Sequence, residues 1–209
     1  MTIKRRQEIY SAMFRFMIDN EITESVPLQI VPLCKKLGVM LYPLSKITAK
    51  TGLTERNVFD IWGNEDGVIQ RYGGNHKISY NDHANSRRAR FTLCEELTHM
   101  VLGHTADEEF NIFRQGFSPA KYERYEEEAR MGAGILLCNP KFFYYYQRVL
   151  TPSDLADICG ITQQCATTRY DILKRCEPEI TSNKVYPFLP LPEFEGINML
   201  TNRACHVAI

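Results

Sequence analysis

Residues 90 to 105 read RFTLCEELTHMVLGHT, and this stretch limits what the chain can become more than any other. On a helix, at about 100° per residue, Thr92, Glu95, Glu96, His99 and Gly103 share one arc of about 100°. Leu93, Cys94, Leu97, Met100, Val101 and Leu102 fill most of the remainder. A solvated amphipathic helix carries a broader polar face, so the pattern describes a buried helix with a narrow polar strip. Two carboxylates and an imidazole on such a strip are costly unless something satisfies them.

A divalent cation would satisfy them. Side chains four apart stand one above the other on a helix, so Glu95 and His99 can grip one ion, with Glu96 displaced to the side as the group that moves a proton. The spacing is that of a zinc-peptidase helix in which Glu95 stands where the first of two histidines is expected. The competing reading is a strip that faces water or a salt-bridge partner. The half-motif Glu96-x-x-His99 also occurs in di-iron bundles, but these need a second copy on another helix, and no other histidine here has a glutamate three residues before it.

A third ligand is sought in YERYEEEARMGAGILLCNP, which follows within one helical turn-rich segment. On the same construction Glu123, Glu126 and Glu127 share an arc with Arg130, the pattern of a solvated face. Glu128 aligns instead with Tyr125, Gly132 and Ile135 on the inward edge. Gly132 and Gly134 weaken a helix unless close approach offsets them, and such an approach would bring Glu128 to the polar strip. The alternative is a buried Glu128 paired with Arg88 or Arg90. His76, His83 and His104 are substitute ligands, with His83, just before the motif helix, preferred over His104, which falls on the apolar side as a capping or core residue.

Around these segments the chain reads as α+β. Apolar spacing from Ile9 to Met17 predicts an opening helix. VPLQIVPLCKKLG predicts a second, with Pro32 at a kink or in its first turn and Gly38 at its end. VMLYPL predicts a strand, Thr54 a cap for a short helix, and DGVIQRYGGNHKISYND a hairpin about GGN. The motif helix is followed by a loop through GHTADEEFNIFRQGFSPA, a long helix over about Lys121 to Cys138, and a packed aromatic helix after Pro140. TPSDLADICGITQQCATTRYDILKR has the helix, glycine turn and helix of a helix-turn-helix. The expected organisation is a domain at 1–150, the helix-turn-helix-like module at 151–176 packed on it, and an irregular surface tail at 177–209.

Charge excludes some functions. Twenty-five basic side chains balance twenty-five acidic ones, so no nucleic-acid or membrane-surface footprint is present. No run is long and apolar enough to span a bilayer and the N-terminus lacks the pattern of a signal peptide, so a cytoplasmic protein is expected. Seven cysteines, none in a C-x-x-C pair, predict buried free thiols in place of a disulfide framework or a cysteine zinc site.

In combination these segments resemble the ImmA/IrrE family of zinc metallopeptidases. RRARFTLCEELTHMVLGH is similar to the family's R-F-T-x-x-H-E-x-x-H-x-x-L-G-H, Glu128-Ala129 to its E-A dipeptide, and LLCNP to the L-L-x-P that ends that helix. The series covers about residues 25 to 176. The resemblance implies a compact zincin-like fold, mostly helical with a small few-stranded sheet, whose strand at 76 to 81 borders the substrate cleft. It implies His99 and Glu128 as metal ligands, Glu96 as general base, and Glu95 in the place of the first ligand. Thr98 stands at a position usually held by glycine, which would tighten the helix against its neighbour. The implied cofactor is Zn2+, with Mn2+ or another hard divalent ion favoured by the extra carboxylate. The implied partner is a protein substrate, a helix-turn-helix repressor whose removal switches on mobile-element or stress genes.

Two further readings stay open. One is a catalytically silent binding module that recognises a repressor through the same cleft. The other is a DNA-binding regulator built on residues 151 to 175, where Arg169, Lys174 and Arg175 face Asp154, Asp157 and Asp171 and the charge cancels, unlike a basic recognition helix.

Overall fold

The structure, a computed structural model, describes residues 1–22, 26–106 and 118–192. It is α+β, mostly helical with one three-stranded sheet. Two units divide the chain, residues 30–133 and residues 1–29 with 134–209. Among the described residues no helix is long and apolar enough to cross a membrane.

The unit of residues 30–133 holds the motif. After α1 (Ile3–Asp19), which belongs to the other unit, it comprises first α2 (Ile30–Lys36), β1 (Met40–Pro43), α3 (Leu44–Thr51) and α4 (Glu55–Trp62). Pro32 sits in the first turn of α2, and Gly38 adopts a positive φ just past its end. Thr54 caps α4 through a reciprocal capping box with Asn57. The helix α3, LSKITAKT, is one that the local sequence pattern did not predict. Its N-cap, Pro43, offers no side-chain bond, and Asp82 from a distant loop accepts from the Ser45 N–H at 2.9 Å and hydroxyl at 2.5 Å.

β2 (Gly67–Tyr72) and β3 (Asn75–Tyr80) form the expected hairpin, with both Gly73 and Gly74 at positive φ as a tight primed turn requires. The sheet order is β1-β3-β2, β1 running parallel to β3 and β2 antiparallel to it. β3 is therefore the central strand, with its backbone engaged on both sides. Both β2 and β3 lie beside the motif helix, β2 as an edge of the sheet.

That helix, α5 (Ser86–Val101), begins earlier than its apolar pattern, because Asn85 caps it by accepting from the Arg87 N–H. It packs on β2 and β3. Gly67 allows this approach: a Cβ there would stand 2.7 Å from the Ser79 carbonyl and 2.9 Å from Thr92 Cγ2. Leu93, Cys94 and Leu97 are buried, as the pattern predicted. The buried Thr98 returns its hydroxyl to the Cys94 carbonyl at 2.7 Å. A 3-10 turn at His104–Ala106 follows, and residues 107–117 of the expected loop lie outside the described residues.

α6 (Pro119–Leu137) carries the glutamates, and its last turn from Gly134 is counted with the other unit. There α7 (Pro140–Tyr146), α8 (Pro152–Cys159), α9 (Gln163–Arg175) and α10 (Glu177–Thr181) pack with α1 around Tyr10, Phe14, Phe142, Phe143 and Leu173. Gly160 at φ 61° makes the turn between α8 and α9. Arg6 grips Glu179 through two bonds of 2.8 Å, tying α10 to α1. In the stretch expected to run irregularly, 177–192 thus includes a short helix and a 3-10 turn at Tyr186–Phe188, while 193–209, with Cys205, lies outside the described residues. Cys34, Cys94, Cys138 and Cys159 are buried free thiols, and Cys165 and Cys176 are half-buried. Burial pushes the Cys34 thiol up to about 11.

Candidate metal centre

Within the polar strip of α5, Glu95 and His99 face α6 while Glu96 faces β2. Glu96 is buried and accepts the backbone N–H of Ile69 at 2.7 Å, which pins the motif helix to the edge strand β2. Glu95 turns toward Arg130, whose Nε lies 3.3 Å from Oε1. His99 is fully buried, with Nδ1 3.0 Å from His104 Nδ1 and Nε2 3.6 Å from Glu126 Oε1. His104 in turn places Nε2 3.0 Å from Glu128 Oε2.

These contacts form one series across the two helices: Arg124, Glu128, His104, His99, Glu126, Arg130, Glu95. Arg124 stands 4.0 Å from Glu128, and Arg130 Nη2 lies 3.6 Å from Glu126. The His104 ring stacks on Tyr125 with centroids 4.1 Å apart and planes 2° from parallel. Stacking fixes the ring plane, and the carboxylate fixes which nitrogen carries hydrogen.

The hydrogen-bond network assigns the tautomers. An ionised Glu128 can only accept, so His104 donates from Nε2; a neutral His104 then accepts at Nδ1, and His99 donates from its own Nδ1. His99 Nε2, on the other side of the ring, faces Glu126, and when unprotonated it is the nitrogen that can hold a metal. This is the form of imidazole that holds a metal, oriented by a hydrogen bond at the other ring nitrogen.

The geometry redistributes the expected roles on α6. Glu126, expected on a solvated face, is buried and meets Nε2 of His99; Glu127 beside it is exposed. The solvated-face reading holds for Glu123, Glu127 and Arg130 and fails at Glu126, where His99 of α5 covers the helix. Glu128 is buried as expected, but it meets His104 and not His99 Nε2. Arg88, a possible partner for Glu128, is paired with Asp66 at 2.7 Å. The close approach expected at Gly134 is made by the Arg169 guanidinium, which a Cβ there would strike, and not by the motif helix. Glu126 was overlooked because helical periodicity sorted it with Glu123 and Glu127. Its i,i+4 relation to Arg130 was the available signal, read as surface pairing.

The substitute ligands are placed elsewhere. His83 is exposed and pairs with Glu55 at 2.8 Å. His76 meets the Thr105 hydroxyl at 2.9 Å, and burial followed by the nearby Arg71 charge lowers its pKa. His104 is a core residue, as its place on the apolar side suggested.

Two ligands on a tetrahedral zinc, each about 2.1 Å from it, lie about 3.4 Å apart. The 3.6 Å between His99 Nε2 and Glu126 Oε1 is close to this and too long for a hydrogen bond. Imidazole and carboxylates are suitable donors in kind. Glu95, however, reaches the same position only if Arg130 releases it, and no three His, Cys, Asp or Glu side chains among the described residues converge on one ion position as they stand.

No curated protein sequence matches the chain. The family model for the Peptidase M78 group, described as the IrrE N-terminal-like domain, matches residues 34–152, a span that includes α5, the sheet and α6. With a match over more than half of its length, the chain belongs to the IrrE N-terminal-like peptidase family.

Proposed function

We propose that the protein is a metal-dependent endopeptidase acting on a protein substrate, a helix-turn-helix repressor whose loss derepresses mobile-element or stress genes. The observation that carries this reading is the 3.6 Å approach of His99 Nε2 to Glu126 Oε1, with the His99 tautomer fixed from behind by His104 and Glu128. His99, Glu126 and Glu95 would hold the ion, with Glu128 orienting His99 and not binding the ion itself. A bound Zn2+ or Mn2+ would supply Lewis-acid polarisation of the peptide carbonyl and acidify a water. Glu96, held by the Ile69 N–H, would move the proton from water to the leaving amine.

The test combines the purified chain, zinc or manganese, and the repressor encoded beside it. Cleavage by the wild type and its loss in Glu96→Gln are expected, because glutamine still accepts from Ile69 but is no base. Cleavage that survives this substitution would sink the reading.

The Arg130 contact with Glu95 favours a second reading, a silent module that binds the repressor without cutting it. Equal repressor binding by the wild type and Glu96→Gln, with no cleavage under any divalent ion, is its signature. DNA binding by α8 and α9 is disfavoured because Arg169 is 6% exposed and packed against Gly134.

A further inference from the structure

Glu95 and Arg130 look unrelated in sequence, 35 positions apart on separate helices, yet they meet at the candidate metal position. The Arg130 guanidinium lies 3.3 Å from Glu95 and 3.6 Å from Glu126, so one cation spans the first helix's carboxylate and the second helix's carboxylate. Glu126 is the same group whose other oxygen faces His99 Nε2. A divalent ion held by Glu95, His99 and Glu126 would neutralise the same two carboxylates. A guanidinium and a dication cannot both be accommodated there without repulsion, since like charges a few ångströms apart in a partly buried site oppose each other strongly.

We propose that Arg130 is a resident cation that competes with the divalent ion, so that the Glu95 and Arg130 pair sets the metal affinity of the site. This rests on the metal-site reading given above. With histidine at position 95, the arginine would keep Glu126 alone of its two partners among the described residues; with glutamate there, it is held from both helices. The Arg130 side chain is 61% exposed, so its head can swing into water when an ion enters, while its partners Glu95 and Glu126 stay largely covered. The affinity of the site for metal is then lowered by the free energy of the ion pairs that must break, and substitution at 130 raises it without touching a ligand.

The experiment is a zinc titration of the full chain by calorimetry, with thermal unfolding at each zinc concentration as the second readout. Arg130→Met removes the charge and keeps most of the bulk at an exposed position. It is expected to bind zinc about tenfold or more tightly than the wild type, since charged contacts of this kind are worth at least one decade in binding. The zinc-dependent rise in Tm should grow in parallel, and Arg130→Lys, which keeps the charge, should stay near the wild type. Equal or weaker zinc binding by Arg130→Met overturns the proposal, as does the failure of both chains to bind zinc. The two ideas separate cleanly. Tighter binding by Arg130→Met without cleavage by any chain leaves the competition intact and removes the peptidase reading; cleavage by the wild type with no gain in Arg130→Met does the reverse.

Discussion

Glu128 and His104 form a buried pair, 3.0 Å from carboxylate oxygen to ring nitrogen, on the side of His99 that faces away from the candidate metal position. The pair connects a residue of α6 to the 3-10 turn after α5 and passes its orientation to His99. Under the proposed ligand set, the glutamate of the E-A dipeptide would act on the metal position through two rings.

Glu126→Gln and Glu128→Gln therefore have different expected outcomes. With Glu126 in the proposed ligand set, its loss should abolish measurable zinc binding at one ion per chain, the stoichiometry of a single site. Loss of the Glu128 charge leaves the ligands in place and should weaken binding by about 10-fold to 100-fold with the stoichiometry retained, the usual effect of a group that orients a ligand. Calorimetric titration of both variants checks this. A larger loss in Glu128→Gln than in Glu126→Gln would return Glu128 to the ligand set.

Gly67 is the point where β2 meets both its neighbour strand and the motif helix. A methyl group there meets the Ser79 carbonyl and Thr92 at less than 3.0 Å, and the backbone carbonyl cannot move without breaking the hairpin. Gly67→Ala should destabilise the fold by about 1–3 kcal/mol, as overpacking does. It should also shift β2 relative to Glu96, whose bond to Ile69 lies two residues on. Urea unfolding measures the first effect; an unchanged midpoint would mean that the strand yields freely.

Much of this architecture was legible because local signals agreed with tertiary packing. The GGN turn between two β-rich runs, the Thr54 cap and the apolar spacing of residues 91 to 102 each gave the element that folds there. Periodicity failed where one helix is covered on more than one side: it could not tell that α5 covers Glu126, because a covered glutamate and a solvated one have the same spacing. The role of Arg130 was hidden for a related reason. A single sequence does not relate position 95 to position 130, and only the packing of α5 on α6 does. The helix α3 was missed because its N-terminal satisfaction comes from Asp82, 37 residues away from Ser45.

That distant cap gives a pH dependence whose sign can be worked out. Partial burial opposes ionisation of Asp82, but hydrogen bonds from the Ser45 hydroxyl and N–H outweigh it and lower its pKa below the ordinary carboxylate value. A carboxylate with a depressed folded pKa stabilises the fold above its unfolded value of about 3.9 and loses that contribution as pH falls through the folded value. Asp82→Ala should cost about 1 kcal/mol near neutral pH, the usual worth of a helix cap. The gap between the wild type and the variant should be constant above about pH 4 and narrow as pH falls through the depressed folded value and the carboxyl of the wild type is protonated. Paired urea titrations across this range measure the gap directly. A difference that stays the same at both ends would show that Asp82 holds α3 by its shape and hydrogen-bond geometry alone, with no contribution from its charge.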